Sequence, residues 1–288
     1  MKDLNYQLMK LCRENRDGSY STQATRRRML DLIANQLHEL GYKRMQAKSL
    51  KPKHVDALAS LWKDQGLSIG TFKNRLSALR WWARKVGKPD IIPKDNRAYD
   101  IGNRSQVGKE SKAQDLDEKK IEKISDPYVR LSLRLQSAFG LRREEAIKFS
   151  PNYAIKDDHI KLKDSWTKGG RARTVPIRTD EQRRLLEEVR KLAKGGALIP
   201  PNKNYEGQLH RYERQVRDAG IKNPHGLRHA YAQRRYEELM GWKSPLAGGP
   251  SRSDLSADER VLDEKARAVI SRELGHDRTA ITRTYLGK

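Results

Sequence analysis

Cysteine occurs once in this 288-residue chain, at Cys12, and phenylalanine three times. No apolar run approaches the ~18–20 residues that a bilayer-spanning helix needs. A single cysteine excludes an internal disulfide and a cysteine-based zinc cage, so a reducing, intracellular setting is the expectation. The opening residues, MKDLNYQLMK, lack the apolar core of a signal peptide. No G-x-x-x-x-G-K-[ST] loop is present to cradle a nucleotide, and no acidic cluster reads as a two-metal nuclease site. Negative charge is scarce as well: 37 Asp and Glu face 61 Lys and Arg, a net +24. The excess is not a tail, because residues 1–105 carry 22 basic against 10 acidic side chains and residues 106–288 carry 39 against 27. Many spread-out cations suit a polyanion, since each phosphate neutralised releases a counterion. Nucleic acid is therefore the expected partner. An anionic membrane fits less well, as no segment reads as a basic amphipathic helix with bulky apolar anchors.

The first ~100 residues read as helical. In residues 20–42, Met29, Ile33, Leu37 and Leu40 recur at helical steps, with Ser21 or Thr22 as the expected N-cap and Gly41 as the stop. Val55, Leu58 and Leu61 repeat the pattern, as do Phe72, Leu76, Leu79 and Val86. The opposite side of that last helix carries Lys73, Arg75, Arg80 and Arg84, which is either a solvated face or a nucleic-acid contact. Pro, Gly and polar residues from 89 onward mark a linker, with a boundary near 105–112. The expected organisation is a helical domain over 1–105, a linker over 106–112 and a second domain over 113–288. That second part mixes helices, such as YVRLSLRLQSAFG and a helix capped by Thr179 or Asp180, with short strands around a turn at Asp157–Asp158 and in RARTVPI. Residues 241–263, rich in Gly, Pro and Ser, read as a loop or insertion, with a capped helix starting near Asp254 or Ser256.

Several residues could carry chemistry. Asn223–Pro224 is an expected helix start, which places His225 and Arg228 on one face near unpaired N–H groups that favour a phosphate. A guanidinium matches two phosphate oxygens with a rigid fork, and an imidazole moves a proton near neutral pH. His229 faces elsewhere and reads as a buried structural histidine. Arg142 follows a glycine at a break, though it could equally be a surface arginine paired with Glu144 or Glu145. Lys168 sits at a Gly-rich turn, either as solvent decoration or as an acid reaching into a groove. His276 follows a glycine, and Tyr285 lies nine residues beyond it.

The order of these residues carries more weight than any one of them. FGLRREEAI, KGGRARTVP, HGLRHAYA and LGHDRTAITRTY resemble, in this order, the four motifs of the tyrosine recombinase (phage integrase) family. The resemblance covers residues 113–288. It implies a mainly α fold with a small β element: a helical, SAM-like core-binding domain and an α+β catalytic domain that close on DNA as a C-shaped clamp. It further implies Tyr285 as the nucleophile that forms a 3′-phosphotyrosine, Arg142 and Arg228 as the phosphate clamp, and His276 as a further phosphate donor. Lys168 would be the acid for the departing 5′-oxygen, and His225 the base toward Tyr285. No metal or cofactor is then needed.

Double-stranded DNA with paired recombination sites is the implied partner. A homotetramer at synapsis, a monomer when free, an accessory DNA-bending protein and a cytoplasmic, nucleoid-associated location complete the expectation. Thr71, Lys73, Asn74, Arg75, Arg80 and Arg84 are the expected groove contacts of the first domain, with Arg171 and Arg173 added from the second. Two departures from the family pattern stand out: His276 comes 48 positions after Arg228, and only three residues follow Tyr285. The extra length is either a surface loop or a contact to DNA or a neighbouring protomer. A type IB topoisomerase shares this residue set closely, and a non-catalytic DNA-binding regulator is the other alternative.

Overall fold

The computed structural model describes residues 3–102, 107, 110–276 and 278–288. The chain divides into two compact units, Met1–Ser105 and Gln106–Lys288. Of the expected linker, residues 106, 108 and 109 lie outside the described residues.

The first unit holds α1 (Asp3–Glu14), α2 (Tyr20–Glu39), α3 (Pro52–Asp64) and α4 (Ile69–Lys85). Its core is built from the residues whose spacing marked them: Ile33 and Leu37 of α2, Val55 and Leu58 of α3, and Phe72, Leu76 and Leu79 of α4. Each such side chain taken wholly from water contributes about 1.5–3 kcal/mol. Trp62 and Trp82 join them, and each indole N–H finds a partner, Gln36 Oε1 for Trp62 and Ala47 O for Trp82, both at 2.9 Å. Leu40, expected in this core, is exposed. The start of α2 also differs from expectation. Gly18, at φ +87°, turns the chain, and Ser19 caps the helix by accepting from the Thr22 N–H at 3.3 Å. Ser21 and Thr22 therefore lie inside the helix.

The second unit contains α5 (Glu118–Glu122), α6 (Pro127–Phe139), α7 (Arg143–Ile147), α8 (Pro151–Ala154), β1 (His159–Leu162), β2 (Arg173–Pro176), α9 (Asp180–Ala193), α10 (Tyr205–Asp218), α11 (Gly226–Met240), α12 (Ala257–Glu273) and α13 (Arg283–Leu286). The fold is thus mainly helical with one small sheet. β1 and β2 pair antiparallel, His159 opposite Pro176 and Leu162 opposite Arg173. The turn at Asp157–Asp158 makes only a single bridge, Ile155 to Ile160, rather than a full hairpin. Ile160, Leu162 and Val175 point from the sheet into a core shared with Leu135 and Phe139 of α6, Leu186 and Val189 of α9, and Ile270 of α12. Thr179 caps α9 and shares a reciprocal capping box with Gln182.

The 241–263 segment is not a loop throughout. Ser256 caps α12, so residues 257–263 are its first two turns. Before it, Ser244 is buried and Pro245–Ala247 form a short 3-10 turn. The chain doubles back so tightly after this turn that a Cβ on Gly249 would lie 1.6 Å from the Lys243 carbonyl oxygen.

Candidate active site

The floor of the site begins where α6 ends. Gly140 takes φ +61°, and a Cβ there would meet Tyr231 Cδ1 at 2.5 Å, so only glycine fits. Two residues on, Arg142 caps α7. Its backbone N–H donates to Glu145 Oε2 at 2.7 Å and its Nη1 to Oε1 at 2.8 Å. Arg173, from β2, forks onto the same carboxylate, Nη1 to Oε1 and Nη2 to Oε2, both at 2.7 Å, while its Nε donates to Glu273 O at 2.8 Å. Glu145 is fully buried. Burial alone would push its carboxyl up. The Arg173 hydrogen bonds and the charges of Arg173, Arg228 and Arg142 more than offset this and hold it at about 2.

The chain then reaches the site from α11. The helix starts two residues later than Asn223–Pro224 suggested. Asn223 takes φ +50°, its carbonyl receives the Gly226 N–H, and His225 stands at the cap position. Gly226 packs so closely on the 112–114 segment that a Cβ would lie 2.7 Å from Lys112 O. Arg228 follows, 1 % exposed. Its Nη1 donates to Gly140 O and its Nη2 to Leu274 O, while Nη2 lies 3.3 Å from His276 Nε2 and Nε lies 3.4 Å from the Tyr285 hydroxyl. Burial and the neighbouring Arg142 pull its pKa down to about 10, which leaves it charged.

Three imidazoles surround the phenol, and His229, expected to face elsewhere, is one of them: it is buried as expected but lies nearest the ring. The His276 ring stacks on Tyr285 at 5.3 Å and 26°, the His229 ring lies at 4.4 Å, and the His225 ring at 6.2 Å. Burial and the charges of Arg228, Arg142 and Arg173 lower His276 to about 3. Burial lowers His229 to about 4, helped by His225, Lys112 and Arg228. His225 is open to solvent on one side, and the protein packed on its other side, then Arg228 and Arg142, also depress its pKa. These rings are neutral donors and acceptors at neutral pH rather than cations. Tyr285 itself is 6 % exposed, and its backbone carbonyl accepts from Gln233 Nε2 at 3.0 Å.

Five of the six expected residues therefore meet in one place: Arg142, His225, Arg228, His276 and Tyr285. Lys168 does not join them. It stands exposed on the turn between β1 and β2, where Gly169 and Gly170 take φ +91° and +65°. Arg173, expected on DNA, is 93 % withdrawn from solvent at its side chain, 7 % exposed, with its fork filled by Glu145. This differs from the expected open groove contact, because the Arg173 guanidinium is turned inward onto the Glu145 carboxylate and Glu273 O. Arg80 is similarly engaged within its own unit, through Pro93 O at 3.1 and 2.6 Å and Asn96 Oδ1 at 2.9 Å. Arg75 lays its guanidinium over Trp62 at 5.3 Å, and the Thr71 hydroxyl pairs with Ser68 at 2.9 Å. Asn74 and Arg84 are exposed and Lys73 is half-buried, while Arg171 lies exposed beside Lys168. Sequence reasoning missed Glu145 as the shared anchor and Gln233 as a hold on Tyr285. The first had a signal, an acidic residue three positions after Arg142.

A mainly helical fold thus gathers two arginines, three imidazoles and a phenol in one place. Two family models match, phage integrase N-terminal over residues 1–92 and integrase over residues 101–234. Together they take in most of the chain, which belongs to the tyrosine recombinase (phage integrase) family. Among solved structures, XerH recombinase bound to palindromic difH in a post-cleavage complex is 21 % identical, with TM-score 0.59, covering 98 % of this chain and 80 % of that one. A lambda integrase dimer bound to a COC′ core site is 16 % identical, with TM-score 0.63 and coverage of 99 % and 77 %. The Tn1549 transposon integrase with circular intermediate DNA is 15 % identical, with TM-score 0.53 and coverage of 99 % and 95 %. At these identities the likeness is one of fold. No curated protein matches the chain. Among the described residues, no helix is long and apolar enough to cross a membrane.

Proposed function

We propose that Tyr285 is the nucleophile of a site-specific recombinase that acts on duplex DNA of a mobile element. The observation that carries this reading is the Tyr285 hydroxyl, 3.4 Å from Arg228 Nε and ringed by the imidazoles of His225, His229 and His276. The phenol oxygen forms a bond to the scissile phosphorus as the bond to the 5′-oxygen breaks. His225, kept neutral by its surroundings, takes the phenolic proton. Arg228 and Arg142 place fixed positive charge where negative charge grows on the non-bridging oxygens, and neutral His276 donates to one of them. Lys168 protonates the leaving 5′-oxygen, which requires its glycine-hinged turn to fold down onto the bound DNA. The phosphotyrosine keeps the energy of the phosphodiester, so a 5′-hydroxyl from a second duplex can reseal it. Recombination then needs two sites held together, for which a homotetramer on nucleoid DNA is the assembly. Arg84 and Lys73 are the cations of the expected set on α4 that remain suited to backbone phosphates, with Asn74 beside them on the same helix.

The test uses nicked duplexes with a randomised central sequence, incubated with the full chain and run on a denaturing gel. The expected result is a protease-sensitive covalent band that is missing for Tyr285→Phe. A band that survives in Tyr285→Phe, or no band from any duplex in the pool, would overturn the reading.

A further inference from the structure

We infer that Arg267 is a positioning residue for Tyr285: it grips the Gly287 carbonyl at the exit of the tyrosine-bearing turn, and the 244–247 segment closes over the same point. The inference rests on the reading of Tyr285 as nucleophile.

The tyrosine sits on α13, a helix of four residues. One turn has too few internal hydrogen bonds to hold its own shape, so tertiary contacts must fix the phenol. Leu286 anchors the turn in the core. Gln233 takes a carbonyl that the short helix leaves unpaired, Tyr285 O, and Arg267 Nη1 takes the Gly287 carbonyl just past the helix end, at 2.8 Å.

Arg267 is itself held from behind. Its Nε lies 2.8 Å from both carboxylate oxygens of Asp263, one turn earlier on α12. Asp263 is fully buried and accepts from the Tyr236 hydroxyl at 2.6 Å. The guanidinium lies over the Tyr236 ring at 5.6 Å. A planar fork fixed at Nε leaves Nη1 one direction to point, and that direction meets Gly287 O.

The segment that lengthens the gap between Arg228 and His276 supplies the outer wall. Gly287, at φ +88°, is so close to it that a Cβ would meet Pro245 Cβ at 3.0 Å and Leu246 N at 3.1 Å. Arg252 of the same segment approaches Asp263 Oδ2 at 3.8 Å. The added residues thus grip the tyrosine turn within their own chain, from both the carboxylate and the glycine side.

Displacing a reacting atom by about 1 Å costs on the order of 10²-fold in rate. Arg267→Gln shortens the side chain and removes both the positive charge facing Asp263 and the donor aimed at Gly287 O. Gly287→Ala leaves Asp263 and Arg267 intact and pushes the turn off its wall. The experiment measures single-turnover covalent complex formation by the full chain on a nicked duplex at saturating DNA, with DNA affinity from a binding titration. Both variants are expected to slow the rate roughly 10–100-fold while the dissociation constant stays within about twofold. Arg267→Lys, which keeps the Asp263 partner with a shorter reach, is expected to recover part of that rate. A purely structural role would instead lower the amplitude, through a smaller folded fraction, and leave the rate of the active fraction unchanged. That pattern, or wild-type rates in both variants, overturns the inference. Tyr285→Phe run in parallel separates the two readings. If it still forms the covalent band, the nucleophile assignment falls and takes this one with it. If it is silent while Arg267→Gln and Gly287→Ala cleave normally, only the positioning role falls.

Discussion

Replacing Glu145 by Gln removes a single charge from the floor of the site and leaves its shape. The carboxyl stands at about 2 in the folded protein against an ordinary 4.5. At about 1.4 kcal/mol per pH unit, that gap corresponds to about 3 kcal/mol favouring the folded state when the group is ionised. The figure agrees with the cost of about 3–5 kcal/mol for breaking a buried ion pair by removing one partner. For a unit of this size it corresponds to a melting temperature lower by about 6–12 °C. The sign of the pH dependence follows from the depressed folded value. The stabilisation is fully present above about pH 4.5 and is lost as the pH falls toward about 2. Calorimetry or chemical denaturation of both proteins, from pH 7.5 down to 2.5, should show a gap that is constant above pH 5 and closes below it. Cleavage should fall as well, because Arg142 and Arg173 lose their common anchor. Equal stabilities at pH 7.5, or a gap that persists unchanged to pH 2.5, would refute the reasoning.

Other outcomes follow from the same geometry. Gly140→Ala should cost at least about 2 kcal/mol by chemical denaturation, since the added methyl needs a positive φ and meets the Tyr231 ring at 2.5 Å. Lys168→Ala should leave the melting temperature unchanged, because the residue is exposed, yet slow strand cleavage. A substrate with a 5′-bridging sulfur, which leaves without a proton, should restore the rate, and failure to do so would remove the acid role. In the free protein, His276 and His229 stand at about 3 and about 4, below the ordinary 6.5. Their contribution to stability is thus present above about pH 6.5 and lost as the pH falls toward those values. Imidazole NMR at pH 5.5 should find both rings neutral, and a midpoint near 6.5 for either would contradict the burial that sets them.

What could be read beforehand and what could not divides along chain distance. The cap at Thr179 and the apolar spacing of Ile33, Leu37, Val55 and Leu58 were legible because a helix needs only neighbours a turn away. α2 was displaced by a residue or two because Ser19, Ser21 and Thr22 all make good caps, and Gly18 decides among them through a turn that no spacing rule encodes. Arg142 with Glu145 could be read as a pair, since three residues separate them. That Arg173 would arrive at the same carboxylate could not, because β2 must first pair with β1 and bring it there. The same limit hid the 241–263 segment. Asp263 and Arg267 are an ordinary pair at four-residue spacing, and only the fold brings the end of the chain within reach of the second arm. The cationic face of α4 looked uniform in sequence, but Arg80 and Arg75 are drawn back onto their own unit by Pro93 O and the Trp62 ring.

The dryness around Arg228 also decides which cation can serve there. The surroundings that lower it leave a guanidinium charged at about 10, because it starts so high. A lysine ammonium begins about two units lower, and the same pull would bring it near the point of losing its proton at physiological acidity. Arg228→Lys would then put a partly uncharged amine beside Tyr285. Burial at this position therefore favours a side chain whose charge survives dehydration.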